Sequence, residues 1–130
     1  MICLDTSLLV DLLKQREEAI NKVNSLKGEL LATTRINIFE VFLGFFSGGS
    51  ANEKFRNDVK MLIDRVEVLE LDEISAIKAA EIASSLVKKG EEIGHSDAII
   101  AGIMLAHGCN RIATRDIHFK RIKELKAEGY

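Results

Sequence analysis

Four carboxylates stand at positions where solubility alone does not explain an acid. Asp5 closes the short apolar run Ile2-Cys3-Leu4, and Glu40 lies inside Phe39-Glu40-Val41-Phe42-Leu43. A lone charge buried in such a run is expensive. Asp97 opens the most hydrophobic stretch of the chain, Ala98 to Ala106, and Asp116 follows the run Arg111-Ile112-Ala113-Thr114. If these acids converge they repel one another, by roughly 4 kcal/mol for two unit charges about 4 Å apart at an effective dielectric near 20. Such a cluster shares protons or holds a cation. All-oxygen ligation suits magnesium or manganese rather than zinc. Magnesium keeps several waters, one of which can become a nucleophile, and such ions also stabilise the leaving oxygen of a phosphodiester. The chemistry expected is metal-dependent phosphodiester hydrolysis, with no histidine, serine or cysteine nucleophile.

Each acid also has an ordinary structural reading. Asp97 could complement a helix dipole, Asp116 could be a turn residue, and Asp5 could cap a strand–helix junction. Glu40 is harder to dismiss in this way. Their joint placement at one edge is what favours a site. Asp72 begins Asp-Glu-Ile-Ser and reads as a helix cap, Asp11 reads as part of a solvated helix face, and Glu91 and Glu92 as loop acids beside Gly94.

The elements that must position the acids follow from apolar periodicity and from glycine and capping residues, because the chain has no proline. Strands are expected at 2–4, 30–33, 66–71 and 111–114. Helices are expected from Leu8 to Lys14 (with Thr6 or Ser7 as cap), Glu17 to Leu26, Thr34 to Gly48-Gly49, Glu53 to Ile63, Asp72 or Ser75 to near Gly90, His95-Ser96 to Ala106, and Phe119 to Leu125. Strands alternating with helices imply crossover connections and a parallel sheet covered on both faces. The expected fold is a doubly wound, three-layer α/β sandwich with a central parallel sheet of four or five strands. Ligands in such folds sit beyond the carboxyl ends of the strands, where Asp5 and Asp116 fall.

The 130 residues point to one domain over 1–130, with 47% hydrophobic and 29% charged residues, the balance of a globular protein. The two cysteines, Cys3 and Cys109, form no CxxC pair, which disfavours a zinc site or disulfide scaffold and fits a reducing cytoplasm. Asp5 interrupts the N-terminus within four residues, which argues against a signal peptide. The run from Ala98 to Ala106 is far shorter than the ~20 residues a membrane helix needs. A net charge of −2 gives no overall basicity that would advertise nucleic acid.

At these same residues the sequence resembles the PIN domain family, and within it the VapC-like toxins of toxin–antitoxin pairs. The matching pieces are Leu-Asp-Thr-Ser-Leu-Leu-Val-Asp (4–11), Asn-Ile-Phe-Glu-Val (37–41), Ser-Asp-Ala-Ile-Ile-Ala (96–101) and Ala-Thr-Arg-Asp-Ile-His-Phe (113–119), in the family's order over nearly the whole chain. The resemblance implies that Asp5, Glu40, Asp97 and Asp116 are the catalytic, metal-holding acids, with Thr6 or Ser7 and Thr114 as auxiliary hydroxyls. It implies a Mg2+- or Mn2+-dependent endoribonuclease acting on RNA, a homodimer, and inhibition by a cognate antitoxin. Such domains commonly finish with another strand, whereas Lys126-Ala127-Glu128-Gly129-Tyr130 carries little β signal, so a truncated or very short last strand is expected.

RNA contact is expected from the segment holding Arg111, Arg115, Lys120, Arg121, Lys123 and Lys126, with Arg115, Lys120 and Arg121 as the RNA-binding candidates and Arg115 foremost because it adjoins Asp116. The plain alternative is a solvated helix face. Aromatic platforms for single-stranded RNA are not evident. Phe39 and Phe42 read as core, and Phe45 and Phe46 as more open, available to a second subunit or an antitoxin helix. His95 reads as a loop residue two positions from Asp97, His107 as a helix end before Gly108, and His118 as part of the last helix's first turn. No HExxH occurs, and Gly48-Gly49-Ser50-Ala51 lacks a P-loop lysine. Two other readings are a non-catalytic PIN-fold binding module, which need not bind manganese, and a small metal-dependent phosphatase, for which the DxDxT spacing is missing.

Overall fold

The computed structural model describes residues 1–49 and 52–130; Ser50 and Ala51, the last two residues of the Gly48-Gly49-Ser50-Ala51 run, lie outside the described residues. The elements in chain order are β1 (Ile2–Leu4), α1 (Thr6–Leu13), α2 (Glu17–Ser25), β2 (Leu31–Thr34), α3 (Arg35–Ser47), α4 (Glu53–Ile63), β3 (Glu67–Leu69), α5 (Glu73–Lys88), α6 (His95–Ala106), β4 (Arg111–Ala113), a 3₁₀ turn (Ile117–Arg121) and β5 (Lys126–Glu128). The five strands form one sheet in the order β3-β2-β1-β4-β5, with every pair parallel.

Side chains alternate across β1 and thereby divide the core. Cys3 joins Ala32, Leu69 and Ile112 under Ile82, Leu86, Ile100, Ile103 and Met104 of α5 and α6. Ile2, Leu4 and Ala113 face the opposite layer, with Leu8, Leu9, Val41, Phe55 and Val59. Helices cover both faces, so a parallel sheet with no wet side is stable.

The connection order reverses between β1 and β4: the chain steps outward from β1 through β2 to β3, then crosses back to β4 and β5. That reversal opens a crevice beyond the carboxyl ends of β1 and β4. It is flanked by α3, held at its start by a reciprocal cap: Asn37 N–H donates to Thr34 Oγ1 at 3.2 Å, and Thr34 N–H donates to Asn37 Oδ1 at 3.1 Å. It is also flanked by α6, which lies very close to α5. A Cβ on Gly102 would come within 2.6 Å of Ala79 N and Ser75 O, so only glycine permits this approach.

Several expectations need correction. The helix expected over Phe119 to Leu125 is a 3₁₀ turn that begins at Ile117 and ends at Arg121, where Arg121 and Ile122 give way to the approach to β5. Of the two expectations for the last strand, the very short one holds and the truncated edge does not: β5 is three residues long beside β4 and completes the five-stranded sheet. The first helix begins at Thr6, with Asp5 in the N-cap position, rather than at Leu8 behind a Thr6 or Ser7 cap. Phe39 is 59% exposed rather than core, because the buried stripe of α3 runs through Asn37, Ile38 and Val41. Phe45 packs inward instead, stacked on Phe55 with ring centroids 4.1 Å apart. Asp11 is 8% exposed rather than solvated. Asp72 caps α5 as expected, accepting from Ser75 N–H at 2.8 Å. Among the described residues no helix is long and apolar enough to cross a membrane.

Candidate functional site

Asp5 leaves β1 at the reversal point with its backbone extended, and its side chain makes no capping bond to α1. The carboxylate turns into the crevice instead. Its Oδ2 accepts from the Thr114 hydroxyl at 2.5 Å and its Oδ1 from Asn37 Nδ2 at 3.1 Å. Thr114, one residue beyond β4, in turn accepts from the Asp116 N–H at 2.9 Å. Glu40, half-buried, precedes the buried Val41 in α3. Its Oε1 accepts from the Thr6 hydroxyl at 2.6 Å and its Oε2 from the Ser96 hydroxyl at 3.0 Å. One carboxylate therefore ties α1, α3 and α6 together. Asn37 Nδ2 also donates to Thr6 Oγ1 at 3.0 Å, so a continuous set of donors links Asp5 to Glu40.

Asp97 stands in the first turn of α6, and Asp116 caps the 3₁₀ turn by accepting from the His118 N–H at 2.8 Å. The dipole and turn readings of these two acids are thus satisfied as well. Yet the same two residues come together: Asp97, Asp116 and His118 each present a ligand atom, all within 4.8 Å of one another. Burial pushes Asp97 up to about 6, reinforced by the charges of Asp116, Asp5 and Glu40 and opposed by His118. Asp5 is also raised, first by burial and further by Glu40 and Asp116, although the Thr114 hydroxyl and the Thr6 backbone N–H pull the other way. All four sequence-selected acids therefore share one electrostatic environment.

That environment fits a hard dication. The donors are mainly carboxylate oxygens, which suit magnesium or manganese, and a dication would relieve the repulsion from Asp116, Asp5 and Glu40 that adds to burial in raising Asp97. Asn37, Thr6, Ser96 and Thr114 orient the carboxylates from behind, as outer hydrogen-bond partners do at metal sites. The hydroxyls of Thr6 and Thr114 are engaged on Glu40 and Asp5, while Ser7 Oγ accepts from the Arg115 N–H at 3.2 Å.

The expected basic patch is divided. Arg111 pairs with Glu29 and, at 2.7 Å, with Glu128. Arg121 donates to the Glu92 carbonyl at 2.7 Å. Arg115 and Lys120 remain beside Asp116. Arg115 lies over the Tyr130 ring, 4.7 Å from its centroid, and 3.4 Å from Asp11 Oδ2.

Sequence reasoning gave no role to Asn37, Ser96 or the Asp11–Tyr130 pair, and it placed His118 without a contact to Asp116. The Thr34-x-x-Asn37 spacing signals a cap, though not that the amide also reaches Asp5. His95 is exposed. It is His118 Nδ1, 2.8 Å from Asp116 Oδ1, that joins the acids.

A PIN domain model matches residues 2–125. The chain is 28% identical over 127 residues to the tRNA(fMet)-specific endonuclease VapC of Salmonella typhimurium, covering 98% of this chain and 96% of that one. It is 29% identical over 129 residues to ribonuclease VapC1 of Haemophilus influenzae, with the same coverage. Among solved structures, VapBC2 from Rickettsia felis bound to a promoter DNA fragment superposes with a TM-score of 0.86 at 26% identity, covering 100% of this chain and 99% of that one. VapBC-1 from nontypeable Haemophilus influenzae superposes with a TM-score of 0.81 at 30% identity, covering 99% and 98%.

Proposed function

We propose that this chain, which belongs to the PIN domain family, is a divalent-metal-dependent endoribonuclease, the toxin of a toxin–antitoxin pair. The observation that carries this reading is the convergence of Asp5, Glu40, Asp97 and Asp116 at the reversal point of the sheet, with Asp97 raised to about 6 by burial and by its acidic neighbours. In this reading those four carboxylates hold magnesium or manganese, which would supply an activated water and offset the charge that builds on the phosphodiester. Water adds at phosphorus, one P–O bond of the RNA backbone breaks, and the departing ribose oxygen takes a proton.

The residues of the chain fix the geometry of that step. Thr114 and Asn37 hold Asp5 by its two oxygens, and Thr6 and Ser96 hold Glu40 by its two oxygens, so neither carboxylate can swing away from the crevice. Arg115 and Lys120 bring positive charge to the rim beside Asp116, where a polyanion would otherwise be repelled. The similarity to VapC proteins named as tRNA(fMet)-specific endonucleases supports tRNA as the first substrate to test. The toxin–antitoxin assemblies among the structural neighbours support a cognate antitoxin partner, which we extend to a homodimeric toxin acting on RNA in the cytoplasm.

Incubating the protein with initiator tRNA, with total tRNA and with an unrelated RNA, in Mg2+, Mn2+ or EDTA, tests this reading. Cleavage is expected with either metal, and is expected to vanish in EDTA and in Asp97→Asn. Cleavage in EDTA at the Mn2+ rate, or an Asp97→Asn protein as active as the parent, overturns it.

A further inference from the structure

A cavity of about 260 Å³ opens directly beside the acid cluster, with Thr114 and Asp116 on one side and Arg115, Ile117, Lys120 and Tyr130 around the rest. Its volume is slightly below the roughly 300–1,000 Å³ of small-ligand sites. That is room for one nucleotide unit, not for a duplex. Lys120 is exposed and Ile117 is 67% exposed, so a cation and an apolar face are presented at the same opening.

Arg115 is held at this opening by its neighbours. Its guanidinium lies over the Tyr130 ring, and the Tyr130 hydroxyl donates at 2.7 Å to the same Asp11 Oδ2 that Arg115 approaches at 3.4 Å. Arg16 Nε lies 3.2 Å from the other Asp11 oxygen. Two guanidiniums therefore share one carboxylate, and the group keeps a net positive charge. The Arg115 side chain is still 46% exposed. A cation held over a ring and beside Asp11 and left half open is arranged to receive an anion, because little side-chain entropy remains to be lost on binding.

We propose that this cavity seats the nucleotide adjacent to the scissile bond, with its phosphate on Arg115 and Lys120 and its base or ribose against Ile117. Tyr130 and Asp11 are positioning residues, acting through Arg115. This rests on the endoribonuclease reading and adds to it a defined flanking-phosphate subsite. The acid cluster itself repels a phosphate in the absence of a dication. A strand crossing Asp116 meets its compensating protein charge in this cavity.

The test uses a synthetic RNA spanning the cleavage site mapped on the tRNA substrate, with the phosphates on either side of the scissile one replaced singly by neutral methylphosphonates. Arg115→Ala and Lys120→Ala are each expected to lower kcat/KM by about tenfold to a hundredfold, as for a lost charged hydrogen bond. One methylphosphonate, and only one, should lower the parent's kcat/KM to a similar extent and leave the variants nearly unchanged. Tyr130→Leu should behave as a weaker Arg115→Ala, losing rate on the all-phosphate RNA and not on the sensitive methylphosphonate, a pattern that general loss of structure would not give. Losses that multiply at both flanking positions overturn the subsite while leaving the nuclease intact. A parent protein that cleaves no RNA overturns the endoribonuclease reading, and the subsite with it. Lys120 is exposed, so its variant keeps the test decisive even if Arg115→Ala folds poorly.

Discussion

Asp5 Oδ2 and the Thr114 hydroxyl meet at 2.5 Å across the carboxyl ends of β1 and β4, the two strands between which the sheet reverses its order. This bond joins the crevice and favours the charged form of a buried carboxylate: burial first, then Glu40 and Asp116, push Asp5 upward, and Thr114 opposes them without cancelling the shift. Thr114→Val keeps the shape and removes the donor. A charged group left short of a partner in a buried site costs about 1–3 kcal/mol. The variant should melt at lower temperature and bind Mn2+ more weakly by calorimetry. An unchanged melting temperature would mean that Asp5 does not depend on this hydroxyl.

The acid cluster gives the metal-free protein an unusual pH response. Asp97 is raised to about 6 by burial first and by Asp116, Asp5 and Glu40 next. Its ordinary value is about 3.9. A carboxyl with a higher pKa folded than unfolded binds its proton more tightly when folded, so protonation favours folding. Stability in EDTA should therefore rise as pH falls from about 7 toward 5. The lowered carboxyls Glu29, Glu70, Asp72 and Glu128 lose their contributions only at more acidic pH, below this window. Asp97→Asn should flatten the rise and match or exceed the parent's stability at pH 7.5. Saturating Mn2+ should reverse the slope, since protons then compete with the metal. Thermal melts at pH 7.5 and 5.5, with and without Mn2+, check the three signs together.

Most of the scaffold could be read from the residues. Buried strands and capped helices announced themselves through Ile2-Cys3-Leu4 and through Thr34 and Asp72, because caps and apolar runs act within a few positions. The convergence of the acids followed from one topological rule about strand ends. What stayed hidden depended on long-range partners. Asp11 looks solvated on its own helix, yet Tyr130 and Arg115 arrive from the other end of the chain to cover it. Arg111 looks like part of a basic patch until Glu29 and Glu128 claim it. The short β5 lacks local β signal and forms because β4 offers it a ladder edge.

Gly102 is a second position where sequence shows little and geometry much. It lies in mid-helix, where glycine is disfavoured by about 1 kcal/mol relative to alanine, so Gly102→Ala would be stabilising on propensity alone. Against that, the new methyl would sit 2.6 Å from backbone atoms of Ala79 and Ser75, which cannot rotate aside. Overpacking of this kind costs about 1–3 kcal/mol and wins over propensity. Gly102→Ala should lower the melting temperature. By pushing α6 outward it should also weaken Mn2+ binding, because Asp97 and Ser96 ride on the first turn of that helix.

Asn37 offers the sharpest test of the polar network behind the acids. Its Oδ1 accepts from Thr34, and its Nδ2 donates to both Asp5 Oδ1 and Thr6 Oγ1 in a fully buried site. Asn37→Asp preserves size and the acceptor side, and replaces the donor with an oxygen that faces the Asp5 carboxylate. Near neutral pH the substituted group would be a second buried charge without a cation, or would stay protonated at a cost in free energy. The variant should therefore be destabilised well beyond Thr114→Val at pH 7.5. It should recover on acidification, because the protonated carboxyl regains a donor toward Asp5. Melting temperatures of the two variants from pH 7.5 to 5 separate this account from simple loss of packing, which would lower both by a pH-independent amount.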